Sequence, residues 1–331
     1  MDQSIIDAIA AEAADNAMPM TLIPDVVRGR VINIDGDYLA YFMAGNDETD
    51  IGTARRNAIS RIQTYKEMSG AERCVLHLTG SGSHKAWRYL LATVKPYQGQ
   101  RSGAKPKNWA ALRDYLESYT GDLMKVHVWG DREADDGMAW FQWHQLCKGN
   151  IELSVSCTRD KDMRQYPGWH INWMTYQMTF VPPDAFAVIG EDELLYGHAW
   201  LWQQVLQGDA VDNIPGLESY MKPNGKKGPM GEKTAEAALE GCTSDEEAFQ
   251  RCAVLYGGTY LGLWGERMAE QLCLLWLRRD PKAEPLNFLR HLKLDHSTDN
   301  FKDLLDGSLE VAKRIQRALD EVAALEKKAH A

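Results

Sequence analysis

The chain has no apolar stretch long enough to cross a bilayer. Its longest runs, such as Leu272 to Leu277, fall far short of the roughly 20 residues a spanning helix needs. The opening twenty residues are acidic and lack the positive start of a secretory signal, so the expectation is a cytoplasmic protein. No CxxC pair occurs among Cys74, Cys147, Cys157, Cys242, Cys252 and Cys273. That spacing argues against a structural zinc or a disulfide framework and for reduced thiols. Neither an internal repeat nor a low-complexity tract is present. A basic balance is also missing: the net charge is −10, which by itself speaks against a phosphate-binding surface.

The most informative absence is local. From Arg73 to Arg113 there is no Asp or Glu, although about six would be expected from 47 acidic residues in 331. The same window holds Arg73, Lys85, Arg88, Lys95, Arg101, Lys105, Lys107 and Arg113. An anionic ligand is the simplest explanation of such a gap.

Short β-rich runs, Val31 to Asp35, Cys74 to Leu78, Lys125 to Trp129 and Ile151 to Cys157, alternate with helix-like stretches. This predicts parallel strands joined by helical crossovers, an α/β core. Ile171 to Val181 reads as a hairpin or edge strand stopped by Pro182 and Pro183. We expect residues 1–190 to form this core, including a basic region at 80–122, and residues 191–331 to form a helical region. Within the latter, Val311, Ile315, Leu319, Val322 and Leu325 lie at the spacing of an amphipathic helix. Packing on the body is its expected role, with partner binding as the lesser reading.

Four acidic groups punctuate this pattern. Asp35 and Asp37 end the first strand, Glu133, Asp135 and Asp136 follow the third, and Asp160 and Asp162 follow the fourth. Asp209 and Asp212 come later, in Gly208-Asp209-Ala210-Val211-Asp212-Asn213. One such pair alone would be read as a turn or helix start. The series is different, because ligands of open parallel sheets sit beyond the strands' C-terminal ends and carboxylates gathered there repel one another without cations. A donor set without His or Cys suits Mg²⁺ or Mn²⁺. Two such ions can activate a water, hold a phosphate and stabilise a leaving oxygen, which is phosphodiester hydrolysis. The Gly-rich turn Gly228-Pro229-Met230-Gly231-Glu232-Lys233-Thr234-Ala235, with Lys222, Lys226 and Lys227 nearby, reads either as an ordinary helix cap or as a second phosphate-binding feature.

In order, Ile-Asp-Gly, a basic region, Glu-Ala-Asp-Asp, Asp-Lys-Asp followed by Gln165, and Gly-Asp-x-x-Asp-Asn-Ile-Pro-Gly leading to Lys-Thr-Ala resemble the 5′-nuclease family. That family comprises flap endonucleases, the 5′-nuclease domains of bacterial DNA polymerases and phage 5′→3′ exonucleases. The resemblance runs from about Val31 to Ala238 and is greatest to a stand-alone phage exonuclease. It implies a metal-binding α/β core, a helical arch for the 5′ strand and a helix–three-turn–helix element gripping duplex DNA. It further implies that Asp35, Glu133, Asp135, Asp136, Asp160, Asp162, Asp209 and Asp212 hold two or more Mg²⁺ or Mn²⁺ ions, and that the helix–three-turn–helix turn can bind K⁺. The expected partner is DNA with duplex and 5′-end or 5′ single-strand character, or an RNA–DNA hybrid. Arg88, Lys95 or Arg101 would steer the phosphate, Tyr97 or Trp87 would either stack on an unpaired base or pack within the protein, and Gly228, Gly231, Lys233 and Thr234 would hold the duplex.

Three departures from the family pattern stand out. His77-Leu78-Thr79-Gly80-Ser81 carries no carboxylate where the family has a second early aspartate, so one ligand is either missing or replaced, with Asp37 the candidate replacement. Gln98 stands where the family has an arch lysine. The turn between Gly216 and Gly231 is longer than usual, and Pro229 replaces a glycine. The competing readings are a non-catalytic DNA-binding scaffold for replication and a single-strand ribonuclease on a related small α/β core.

Overall fold

A computed structural model describes residues 23–101 and 103–329; the acidic opening segment lies outside them. Six strands form one sheet in the order β3-β2-β1-β4-β5-β6. They are β1 (Val27–Asp35), β2 (Ala71–Thr79), β3 (Lys125–Trp129), β4 (Ser154–Cys157), β5 (Gly168–Ile171) and β6 (Met178–Val181). The first five run parallel, and β6 turns back against β5 as an antiparallel edge. The expected α/β core with a mainly parallel sheet is therefore present, as is the edge hairpin within Ile171 to Val181. One boundary differs: Ile151–Leu153 winds as a 3₁₀ turn, so the fourth strand begins only at Ser154.

Alternation along β1 explains the two faces of the sheet. Ile32 and Ile34 enter a core shared with Ala54, Ala58, Ile62, Leu76, Leu78, Leu112 and Leu116. The helices supplying that core are α1 (Gly36–Met43), α2 (Ile51–Met68) and α3 (Trp109–Glu117). Asn33 and Asp35 point the other way, toward α4 (Ala134–Cys147). The helix starts have local causes: Asp35 accepts the Tyr38 N–H at 3.0 Å and Asp50 that of Thr53 at 2.9 Å, while Glu133 and Asp136 form a capping box. The link from β1 to α1 needs glycine at position 36, where a Cβ would lie 2.6 Å from the His77 carbonyl.

A second hydrophobic cluster belongs to the later helices α5 (His198–Gln207), α6 (Glu232–Leu239), α7 (Asp245–Tyr260), α8 (Trp264–Leu275) and α9 (Asp299–Ala329). Val311 and Ile315 of α9 are buried in it, whereas Val322 and Leu325 are exposed. Leu319 packs against the same cluster, so the amphipathic pattern packs as far as Leu319 and is exposed beyond it. No described helix is long and apolar enough to cross a membrane.

Candidate metal centre

Parallel registers bring the strand ends together. Asp35 lies opposite His77, Ile34 opposite Cys157 and Thr79 opposite Trp129, so residues following β1, β2, β3 and β4 meet along one edge. Asp35 closes β1 and accepts the Thr158 hydroxyl at 2.8 Å. The Asp160 N–H donates to the same threonine at 2.9 Å, and the Asp160 carboxylate accepts the Asp162 N–H at 2.9 Å. Asp162 in turn accepts the Gln204 amide at 2.5 Å, reaching across to α5.

The loop after α5 contributes the rest. Asp209 and Ile214 exchange backbone hydrogen bonds of 2.8 and 2.7 Å. Gly208 and Gly216 hold left-handed backbone on either side, with φ of 75° and 60°. A Cβ on Gly208 would come within 2.2 Å of the Ile214 carbonyl, and one on Gly216 within 2.3 Å of the Gly208 nitrogen. Only glycines let these two backbones touch, and the contact pins Asp209 and Asp212 into the site. As a result Asp162, Asp209 and Asp212, all buried, offer oxygens within 4.8 Å of one another.

Burial of such a cluster shows in its protonation. Burial, and then the Asp37 charge, push Asp35 up to about 6. Burial, followed by Asp212, Asp35 and Asp209, raises Asp160 to about 7. Asp162 is pushed well above the usual carboxylate range by burial and by Asp160, Asp209 and Asp212. Asp135 goes the same way through burial, Asp136, Glu133 and Asp160. Asp212 is raised by burial and Glu133. The carboxylates from all four acidic motifs therefore feel one another.

A divalent cation fits this donor set on its chemistry. The ligands are hard carboxylate oxygens with no His or Cys among them, and the buried Gln204 Oε1 beside Asp162 has no protein partner. Asp35, Glu133, Asp135, Asp160, Asp162, Asp209 and Asp212 are the residues able to share such ions.

Asp136 and Arg88 take places other than those expected from sequence, and Tyr97 takes the packed alternative. Asp136 does not face the other carboxylates with a free oxygen. Its oxygens take 2.6 and 2.8 Å bonds from the Arg88 guanidinium, 2.7 Å from the Arg278 N–H and 3.3 Å from the Glu133 N–H. Burial alone would raise its pKa, but Arg88 and Arg278 outweigh it and hold Asp136 below the usual range. Arg88 is correspondingly buried, also bonding the carbonyls of Leu274 and Trp276, and has no surface from which to steer a phosphate. Tyr97 does not present its ring for stacking either: the ring packs on the helical core, and the hydroxyl sits 2.7 Å from Glu133 and 3.1 Å from Asp212. Trp87 stacks on His84 at 4.1 Å.

Much of the basic window turns inward in the same manner. Gln98 donates to Glu133 and Asp212, both at 3.1 Å, and accepts from Lys85 at 2.8 Å. Lys85 lies 3.4 Å from Glu133, so it supplies the cation that Gln98 lacks. Arg101 pairs with Asp212. Asp37, in the first turn of α1, reaches across to the end of β2, accepting the Thr79 N–H at 3.1 Å, and is tied to Arg113 at 3.3 Å. Lys95 remains exposed. Sequence reasoning gave no role to Lys161, which bonds Asp209 at 2.8 Å and whose place between Asp160 and Asp162 was the available signal; Lys85 and Gln98 were noticed, but not their contacts with Glu133 and Asp212. Gly231 caps α6, with Lys233 and Thr234 exposed on its first turn and Gly228 in the preceding hairpin.

No protein-family model and no curated protein matches this sequence. Solved structures do match over nearly the whole chain. A mutant of T5 5′-exonuclease covers 86% of this chain and 99% of its own at 12% identity and a TM-score of 0.45. Bacteriophage T5 flap endonuclease, in a pseudo-enzyme–product complex with DNA and metal ions, covers 88% and 98% at 14% identity and a TM-score of 0.45. T5 5′-exonuclease with bound zinc covers 89% and 93% at 15% identity and a TM-score of 0.43. Identities this low leave the chemistry to the side chains of the centre itself.

Proposed function

We propose that the chain is a divalent-metal-dependent 5′ nuclease, a 5′→3′ exonuclease or flap endonuclease that hydrolyses DNA, and RNA primers in hybrids, near 5′ ends. The observation carrying this reading is the meeting of Asp162, Asp209 and Asp212 oxygens within 4.8 Å at the edge where Asp35, Glu133, Asp135 and Asp160 also gather. The 5′ polarity rests on the order of the sequence motifs.

Mg²⁺ or Mn²⁺ ions held there would polarise a phosphodiester, make a water acidic enough to attack near neutral pH and favour departure of the 3′ oxygen. Thr158 and Gln204 orient Asp35 and Asp162 through hydrogen bonds, as second partners of ligating carboxylates do. Lys85, Arg101 and Lys161 line the rim beside Glu133, Asp212 and Asp209 and are placed to receive the anionic substrate once those carboxylates are shared with metal. Lys95, Gly228, Gly231, Lys233 and Thr234 are assigned to the DNA backbone. Strand removal during phage replication and degradation of DNA from 5′ ends both follow from this chemistry.

A scaffold that only bound DNA would carry the repulsion of buried carboxylates without use for it, which favours the enzyme. The test is a panel of 5′-labelled blunt duplex, nicked duplex, flap and RNA–DNA hybrid with Mg²⁺ or with EDTA. Cleavage in Mg²⁺ alone, leaving 5′-phosphate and 3′-hydroxyl ends, is expected. Binding without cleavage would return the scaffold reading, and cutting confined to single-stranded RNA would return the ribonuclease.

A further inference from the structure

The sheet face that presents Asp35 to the metal centre has a second feature at the other end of its strands. There Val31 lies opposite Arg73 and Asn33 opposite Val75, with Lys125 beside Val75 on β3. At about 3.3 Å per residue, Val31 is roughly 13 Å along β1 from Asp35. Helix α4 reaches this level with Phe141 and Gln145 but leaves the face open, and β3 pairs with β2 only from Val75 onward. The result is a cavity of about 540 Å³, within the roughly 300–1,000 Å³ of small-molecule sites.

Its lining combines three kinds of chemistry. Exposed Arg73 and Lys125 and half-buried Lys66 supply positive charge. None of them is paired with a carboxylate of the described residues. The acids on the same rim are Asp122 and Glu72, and the Glu72 carboxylate already accepts the Gly29 N–H at 2.8 Å. His127 and Phe141, 5.9 Å apart and 69° from parallel, give an aromatic wall. The floor is polar. His77 behind it is kept neutral, its pKa lowered to about 3 by burial and then by His127. Trp129 donates to His77 Nδ1 at 3.2 Å, so the Nε2 proton goes to the Asn33 oxygen at 3.0 Å. That orients the Asn33 amide, which donates to the Ser154 oxygen at 3.2 Å. Ser154, on the cavity floor, is left with a hydroxyl proton that no described residue accepts.

We infer that this cavity binds a nucleoside 5′-monophosphate, with Arg73, Lys125 and Lys66 on the phosphate, His127 and Phe141 against the base, and Ser154 as a hydrogen-bond donor from the floor. Inorganic phosphate would meet the cations but leave the aromatic wall empty. An uncharged aromatic would fill the wall but leave the cations without a partner. A monophosphate matches both, and its choice among phosphate-bearing aromatics rests on the proposed function, because 5′→3′ exonuclease action releases it. Bound here, it lies at the opposite end of the strands from the carboxylates and leaves the metal centre open.

Calorimetric titration in EDTA, with deoxythymidine 5′-monophosphate, deoxythymidine and inorganic phosphate as the three probes, tests the site. The monophosphate should bind the wild type at least about tenfold more tightly than either of its parts. Arg73→Gln/Lys125→Gln should weaken it by about tenfold or more, and His127→Ala by about fivefold. All three side chains are exposed, so each variant should melt as the wild type does. Asp162→Asn/Asp212→Asn should bind the monophosphate as the wild type does, which separates this site from the metal centre. Equal affinity for the monophosphate and one of its parts would overturn the inference, as would a loss of binding in the metal-centre variant in place of the Arg73/Lys125 variant. Absence of binding in protein that cuts DNA with Mg²⁺ would overturn the inference alone. Binding by protein that cuts no DNA would leave the site standing and strike the proposed function.

Discussion

The carboxylate centre predicts an inverse relation between stability and function that Asp160 tests. Its carboxyl is raised from an ordinary 3.8 to about 7 in the folded protein. A raised carboxylate pKa means that the native state binds the proton more tightly than the unfolded chain does. Its contribution is therefore present below about pH 4 and lost as pH rises through 7. The full difference corresponds to roughly 4 kcal/mol by pH 8, or roughly 3 kcal/mol after allowing for the part of its surface that meets solvent. Asn at this position keeps the hydrogen bond to the Asp162 N–H, since Asn caps as well as Asp, and it does not ionise. In EDTA at pH 8, Asp160→Asn should be more stable than the wild type by roughly 3 kcal/mol, raising Tm by roughly 4 °C for a chain of this size. At pH 5 the gap should shrink to below roughly 2 kcal/mol, while nuclease activity is lost at either pH. Urea unfolding followed by tryptophan fluorescence would read this. A variant no more stable than the wild type at pH 8 without metal would refute the account of a strained acidic cluster.

Arg88→Met should destabilise the fold by about 3–5 kcal/mol, because it strands the buried Asp136 charge; urea denaturation would measure it. Asp136→Asn should likewise act on stability, with Mn²⁺ affinity in the folded protein close to wild type, and a loss of metal binding without a loss of stability would contradict the assignment of Asp136 to Arg88. Where α8 crosses α9, a Cβ on Gly307 would lie 2.3 Å from the Glu266 nitrogen, so Gly307→Ala should cost about 1–3 kcal/mol by forcing the helices apart. A thermal melt unchanged from wild type would show that the crossing gives more freely than its geometry implies.

The sheet was legible because Val- and Ile-rich runs each ended in Gly, Thr or a carboxylate, and parallel strands gather such endings at one edge. Asp135 and Asp136 show where legibility stops. They are neighbours in the first turn of α4, and about 100° of helical rotation separates their directions, so one side chain joins the cluster while the other meets Arg88. That partner is 48 residues away, and only the packing of the later helices, through the carbonyls of Leu274 and Trp276, fixes it. The basic window was visible but not its fate: Lys85, Arg88, Arg101 and Arg113 all turn to carboxylates of this same chain. Nor could spacing show that Gly208 and Gly216 touch back to back, since that contact is a property of the closed loop rather than of either glycine.

The central claim is that this edge of the sheet holds divalent cations through its carboxylates. Titration of Mn²⁺ into the wild type and into Asp162→Asn/Asp212→Asn, followed by electron paramagnetic resonance, tests it most directly. The account predicts two or more ions bound by the wild type and a loss of at least one in the double variant while its fold is retained. Equal Mn²⁺ binding by both proteins, or none by the wild type, would contradict it.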